Sequence, residues 1–448
     1  MMDSDDSSRT IDRRDFLKTT AVAGLALGSR SLAAAAGGTN DLRVALVGAG
    51  NQGMVLLEAC QKIPNVRITA LCDIWEEYRQ KYVSGRLRTY GHEHKAYVDI
   101  HEMLDKEKGR LDAVIIATPD FWHAEHAVAC LKAGLHVYCE KEMSNTLPDA
   151  RRIVVAAREA DKFLQVGHQR RSNPRYRFSY QKLLSENRLL GRITTASGQW
   201  NRARQDPLTM PAKYNMSPAR LEKYGFRSME QFLNWRWYRG LGGGPVVDLG
   251  SHQIDIFNWF LGSRPTSVMA SGGTDYYSKD THEWYDTVMA VFEYATSAGT
   301  VRAFYQTITT NGFGGYYELF LGDQGSLEIS ESGARANVFR DIANAPDWGS
   351  LVKKGLLKAP KEEPPAQQPG VVLDVRETAP PPSYALPVQS TKLYHQPHLE
   401  NFFDTIRGRA KLNCPGDVGY ETAVTVLKVN EAVESGRRVE FKPSDFEI

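Results

Sequence analysis

Three groups of residues in this chain have types and spacings suited to chemistry. The first is Gly48-Ala49-Gly50-Asn51-Gln52-Gly53, followed by Asp73, 20 residues beyond Gly53. Gly48 permits a tight turn, Gly50 lets backbone amides approach a pyrophosphate, and Gly53 allows close packing of strand and helix. Asn51 and Gln52 open the helix whose N-terminus faces the phosphates. A carboxylate at Asp73 accepts from two ribose hydroxyls and repels a 2′-phosphate, and Ile74 and Trp75 follow it rather than Arg or Lys. The expected cofactor is NAD rather than NADP. The second group is Glu140-Lys141, directly after the apolar stretch His136–Cys139. The third is Asp248 with His252, spaced i, i+4 and so on one helix face. His252 lies among Ile254, Ile256 and Phe257, a setting in which a core or capping histidine is the commoner role. No metal-ligand set is expected.

The elements that position these residues follow from hydrophobic patterning. Short apolar strands are expected at Leu42–Val47, Val66–Cys72, Ala113–Ala117, His136–Cys139 and Phe163–Val166. Helical patterns run from the glycine loop to Lys62, over Phe121–Ala133 and over Leu147–Ala160. Such alternation predicts a parallel, doubly wound Rossmann sheet. The carboxyl ends of its strands, where Lys141 sits, are where ligands bind. After Gly167 the alternation fades. Trp284–Glu293, Thr300–Gln306, Tyr316–Gly322 and Ser326–Ile329 read as strands of a mainly antiparallel open sheet. Helices at about 397–407 and 420–435 are expected to close the fold. The domain reading is 1–40 signal segment and linker, 41–166 nucleotide domain, 167–396 substrate and oligomerisation domain, and 397–448 closing helices.

Thr118-Pro119 ends the third strand, His123 follows closely, and Glu140-Lys141 ends the fourth. Together with the glycine loop, Gln165 to Arg171, and Gly242-Gly-Gly-Pro-Val-Val-Asp248-Leu-Gly-Ser-His252, these resemble the glucose–fructose oxidoreductase/inositol dehydrogenase (Gfo/Idh/MocA) family. The resemblance implies a nicotinamide oxidoreductase acting on a sugar, glycoside or polyol hydroxyl. It places Thr118, Pro119, His123, Glu140 and Lys141 at the cofactor. Lys141, Asp248 and His252 are implied as the catalytic set, and Gln169 and Arg170 as groups approaching substrate. His168 is a further candidate. The family pattern is Glu-Lys-Pro, whereas Glu142 stands after Lys141 here. That substitution is expected to loosen the turn and to set a negative charge beside the lysine. For such a set, a neutral His takes the hydroxyl proton. Lys141 holds the oxygen and its developing charge, and Asp248 fixes a neighbouring hydroxyl.

Trp235 and Arg236, within Asn234–Arg239, suit a polyhydroxylated ring, which stacks on aromatic faces and is hydrogen-bonded at its edge. Core packing is the alternative for at least one of the two tryptophans. Pro360–Pro387 carries eight prolines. This segment is expected to resist helix and sheet, as a solvent loop or as an arm across a neighbouring subunit.

The chain has 448 residues with Lys+Arg 55 against Asp+Glu 53, a net charge of +2. That balance argues against a nucleic-acid binder. No apolar run is long enough to span a membrane. Arg13-Arg14-Asp15-Phe16-Leu17-Lys18, an apolar stretch and then Ala33–Ala36 suggest a twin-arginine export signal and a periplasmic location. The five cysteines do not describe a disulfide framework. Outside the cytoplasm the cofactor is expected to be tightly retained, and the protein is expected to be a homo-oligomer. Two rival readings remain: a glycosidase acting by transient oxidation, elimination and re-reduction, and a non-catalytic sugar-binding protein.

Overall fold

The computed structural model describes residues 41–360 and 381–448. The export segment expected over residues 1–40 and most of the proline-rich stretch lie outside them. Strands β1 (Leu42–Val47), β2 (Val66–Cys72), β3 (Lys95–Tyr97), β4 (Ala113–Ile116), β5 (His136–Cys139) and β6 (Leu164–Val166) form one parallel sheet in the order β3-β2-β1-β4-β5-β6. Val44–Val47 and Ala113–Ile116 are fully buried, the pattern of strands covered on both faces by helices. The order reverses at β1 and β4, where ligands bind in such sheets. Val47 pairs with Ile116 there, so the glycine loop and the Ala117–Pro119 turn emerge side by side. The sequence reading gave no sign of β3, whose three residues, Lys95-Ala96-Tyr97, are too few to show alternation.

Strands β7 (Ile193–Asn201), β8 (Pro265–Gly273), β9 (Thr287–Thr296), β10 (Gly299–Ile308), β11 (Tyr316–Gly322), β12 (Gly325–Ile329), β13 (Ala336–Arg340), β14 (Ser383–Ala385) and β15 (Val439–Glu440) form a second sheet. Its order is β14-β13-β12-β11-β7-β10-β9-β8-β15. Only the β7–β10 pair is parallel; the others are antiparallel. The helix Pro245–Leu261 packs on β10, β7, β11 and β9, and the helix Gly416–Ser435 packs on β8. Large apolar side chains from β8, β9, β10 and β11 remain exposed, among them Met269, Met289, Phe304 and Leu321. The proline-rich stretch does not resist sheet throughout: Ser383–Ala385, just past Pro382, pairs with β13. The ladder needs only a few amides, and those three residues have them.

The chain then returns to its first half. Leu399, Phe402 and Phe403 of the helix Gln396–Ile406 share a core with Val44, Leu46, Leu56 and Ile115. The next helix begins at Gly416, four residues before the position expected from patterning. Pro415 is its N-cap, in extended backbone, so the helix starts as soon as proline permits.

Candidate functional site

Gly48 leaves β1 with φ +93, and a Cβ there would lie 2.6 Å from the Ala117 oxygen. A Cβ on Gly53 would lie 2.0 Å from the Gly48 oxygen. These two glycines therefore serve the fold. Gly50 differs, because nothing lies within 4 Å of its absent Cβ and the residue lines a cavity of about 780 Å³. It is the N-cap of the helix Asn51–Cys60 and has no side-chain cap, which leaves that helix's first amides for an anion. Asp73 closes the loop, accepting from the Ala49 amide at 2.6 Å and the Trp75 amide at 2.8 Å. Burial pushes its carboxyl up, opposed by those two amides and by Arg79. The same cavity is lined by Asn51, Gln52, Thr118, Pro119, Glu140, Lys141, Trp235 and Arg236. An open space at Gly50, free helix amides and a carboxylate at the ribose position fit a dinucleotide.

Lys141 is carried to the cavity wall by β5. Its Nζ donates to the Asp248 carbonyl oxygen and, at 3.2 Å, to Asp248 Oδ1. Arg236 Nε lies 3.4 Å from Asp248 Oδ2. Burial alone would raise the Asp248 carboxyl; Lys141, Arg236 and Arg202 outweigh it and hold it well below the usual carboxylate range. Asp248 opens the helix Pro245–Leu261, with Gly244 and Pro245 at its start. His252 lies one turn deeper, 6% exposed and 5.3 Å from the Trp200 ring. Burial, then Lys141, Arg170 and His168, hold its pKa well below the ordinary value. It is therefore a neutral acceptor whose Nδ1 has no partner among the described residues. Lys141 and Asp248 thus touch, whereas His252 stands behind them and off the wall of the large cavity.

Several expected roles are changed by the structure. His123 is buried, with Nδ1 2.8 Å from the Glu142 oxygen and Nε2 2.7 Å from the Thr118 oxygen. It ties the two strand-end turns together and does not reach the cavity. Arg170 is not free for substrate. Its guanidinium is paired with Glu318 and, at 3.0 Å, with Glu331, and Tyr176, Trp200 and Tyr316 surround it. Gln169 donates to Glu331 at 3.1 Å. Both are buried because their partners, Glu318 on β11 and Glu331 just past β12, pull them inward. Glu142 does not set a charge beside Lys141. The Lys141–Glu142 peptide is cis, and the Glu142 side chain turns into the core, fully buried, with Oε2 3.9 Å from His168 Nε2. Burial pushes this carboxyl up to about 8. His168 is likewise buried, lowered to about 4 by burial. Trp235 belongs to an aromatic cluster with Trp75 and Phe226 and also lines the cavity, while Arg236 is half exposed. Asp255 is structural, held by Arg171 and Thr422.

Other residues were not visible as candidates. Asp120, directly after Pro119, lines the cavity. Burial and the Asp248 charge push its carboxyl up to about 7. Its position one residue past a strand-end turn was the available signal. Arg79 also lines the cavity and donates to Asn51 Oδ1 at 2.9 Å. Arg202 follows β7 and joins Asp248 and Arg236 at a second cavity of about 70 Å³. No group of three or more side chains suited to a metal ion occurs among the described residues, and no helix there is long and apolar enough to cross a membrane.

Residues 42–168 match the NAD-binding Rossmann domain of the GFO/IDH/MocA oxidoreductase family, and residues 180–328 match that family's C-terminal domain. The myo-inositol 2-dehydrogenase of Thermotoga maritima is 27% identical over 52% of this chain and 58% of its own length. A 1,5-anhydro-D-fructose reductase of Ensifer adhaerens is 25% identical over 74% of this chain and 80% of its own. Against three of the curated relatives the match spans only 44% to 59% of their length, about half. The solved aldose-aldose oxidoreductase of Caulobacter crescentus superposes with TM-score 0.65 at 18% identity, covering 90% of this chain and all of that one. With the two domain matches covering more than half of its residues, in the order its two sheets occur, the chain belongs to the Gfo/Idh/MocA oxidoreductase family.

Proposed function

We propose that this protein is an NAD-dependent oxidoreductase that exchanges a hydride between a sugar or polyol hydroxyl and a tightly held nicotinamide. The observation that carries this reading is the direct Lys141–Asp248 contact at the wall of the cavity that begins at the glycine loop. When bound, the nicotinamide supplies the hydride acceptor. Gly50 and the first amides of Asn51–Cys60 hold the phosphates, and Asp73 holds the ribose. Arg79 is already engaged with Asn51, and the Asp73 carboxylate disfavours a 2′-phosphate, which supports NAD over NADP. Lys141 donates to the reacting hydroxyl and stabilises charge that develops on its oxygen. Asp248 keeps the lysine in place and accepts from an adjacent hydroxyl. His252, neutral at physiological pH, receives the proton.

The names of the relatives are consistent with a carbohydrate substrate. Denaturing the purified protein should release NAD(H), and a panel of sugars should reduce the bound nucleotide in a single turnover. Release of NADP(H) alone would refute the Asp73 argument. Cleavage of glycosides with no net NADH would replace the reading with the redox-neutral glycosidase. We also propose twin-arginine export, supported by the order of Arg13-Arg14, the apolar stretch and the alanines. Replacing both arginines by lysine should leave precursor in the cytoplasm.

A further inference from the structure

We propose that the small cavity between Arg202 and Arg236 is a carboxylate-recognition subsite, so that the substrate is an acidic sugar, a uronate or an equally carboxylated polyol. This rests on the oxidoreductase reading and narrows its substrate class. The cavity shares Arg236 with the large one, and Asp248 on its wall touches Lys141. A group bound here is therefore attached to a molecule whose hydroxyl lies at Lys141. At about 70 Å³ it is less than a tenth of the large cavity of about 780 Å³. It is a side pocket for a substituent, beside the space that holds the cofactor.

The charge of the walls decides which substituent. The charged residues on its walls are Arg202, Arg236, Asp248 and Asp286, and Asp248 also faces Lys141. Asp248 is already engaged by Lys141 and Arg236, which leaves the Arg202 guanidinium as the wall charge open to a ligand. The other carboxylate on the wall, Asp286, is already satisfied. Its Oδ2 accepts from the amides of Asp275, Tyr276 and Tyr277, and its Oδ1 from Thr287. His282 stacks between Trp237 and Tyr277 at centroid distances of 3.8 and 4.0 Å, and burial lowers its pKa against the opposing charge of Asp286.

The two arginines still have donors to give. Arg236 uses Nε on Asp248. The Arg202 guanidinium lies 5.4 Å from the Trp200 ring centroid and makes no ion pair among the described residues. Trp200 itself is braced by Tyr316, stacked at 4.7 Å. A guanidinium held on an indole loses little further freedom on binding, and its planar fork matches a carboxylate.

The test uses the NAD-loaded protein as purified. The probes are methyl glycosides of hexuronic acids, their neutral methyl esters, and the corresponding hexose 6-phosphates. Single-turnover nucleotide reduction and quenching of tryptophan fluorescence are both read. The uronates should exceed their esters in kcat/KM by about 10- to 100-fold, the range for a hydrogen bond to a charged group. That ratio should shrink with added salt, collapse in Arg202→Gln and partly persist in Arg202→Lys. Equal rates for acid and ester, preference for the phosphates, or a ratio unchanged in Arg202→Gln would overturn the subsite while leaving the oxidoreductase standing. If Arg202→Gln does not fold, the wild-type ratio and its salt dependence decide. Uronate quenching that depends on Arg202, without any reduction by any sugar, would uphold the subsite and remove the oxidoreductase. Neither quenching nor reduction would remove both.

Discussion

Lys141 and Asp248 share a contact but line different cavities, and His252 stands behind both, so their losses should differ. Lys141→Ala removes the donor to the developing oxyanion and should slow single-turnover oxidation about 100- to 1,000-fold. Nucleotide content should not change, because Gly50 and Asp73 lie elsewhere. His252→Ala should slow the step about 100- to 10,000-fold; a normal rate with a lowered Tm would instead make His252 a core residue. Glu142 makes a separate prediction. Its carboxyl rises from 4.5 to about 8 in the fold because it is buried, so the fold favours the neutral form. The stability this confers is complete below about pH 4.5 and is lost as pH rises through 8. Glu142→Gln should therefore gain Tm relative to wild type as pH goes from 5 to 8.5, by about 3 °C or more. A difference independent of pH would show that Glu142 is ionised in the fold. A strand end and a helix face in the sequence pointed to Lys141 and Asp248, which the fold brings into contact. Sequence reading misplaced Arg170 and Glu142 because burial is decided by distant partners, Glu318, Glu331 and His168, that spacing along the chain does not encode.

Among the elements, the glycine loop separates two kinds of constraint within six residues. Gly53→Ala would drive a Cβ into the Gly48 oxygen and should destabilise the fold by more than about 1 kcal/mol. Gly50→Ala meets no protein atom and should leave Tm nearly unchanged. It should still lower retained NAD at least about tenfold, because the methyl enters the space for phosphate. Nucleotide released per folded molecule, measured beside thermal melts, separates the two. Equal loss of stability in both variants would contradict the placement of Gly50. The loop and five strands of its sheet were legible because a buried parallel strand is a continuous apolar run. The three-residue β3 and β14 were not, since pairing with a neighbour defines them more than composition does. Arg202 was hidden for a related reason: it becomes notable only when β7 sets it beside a helix that begins more than 40 residues later.

At the scale of the molecule, the second sheet has one face under helices and another carrying exposed Met269, Met289 and Phe304. Such a face suits a second copy of this chain. Replacing Met289 and Phe304 by Lys should lower the mass in light scattering while the monomer keeps its melting behaviour; an unchanged mass would exclude this face as the contact. The two-sheet architecture was legible from the change in alternation near Gly167. The return of the chain was not, because helices 396–406 and 416–435 look alike in sequence, yet the first packs on the helix Asn51–Cys60 and the second against both sheets. That return has a consequence for synthesis. Leu399, Phe402 and Phe403 complete the core beneath β1 and β4, yet a ribosome makes them more than 280 residues after β4. The first half therefore emerges before the side chains that complete this core. The nucleotide cavity itself is lined by residues 47–236, so its walls are made long before the helix that packs beneath the sheet.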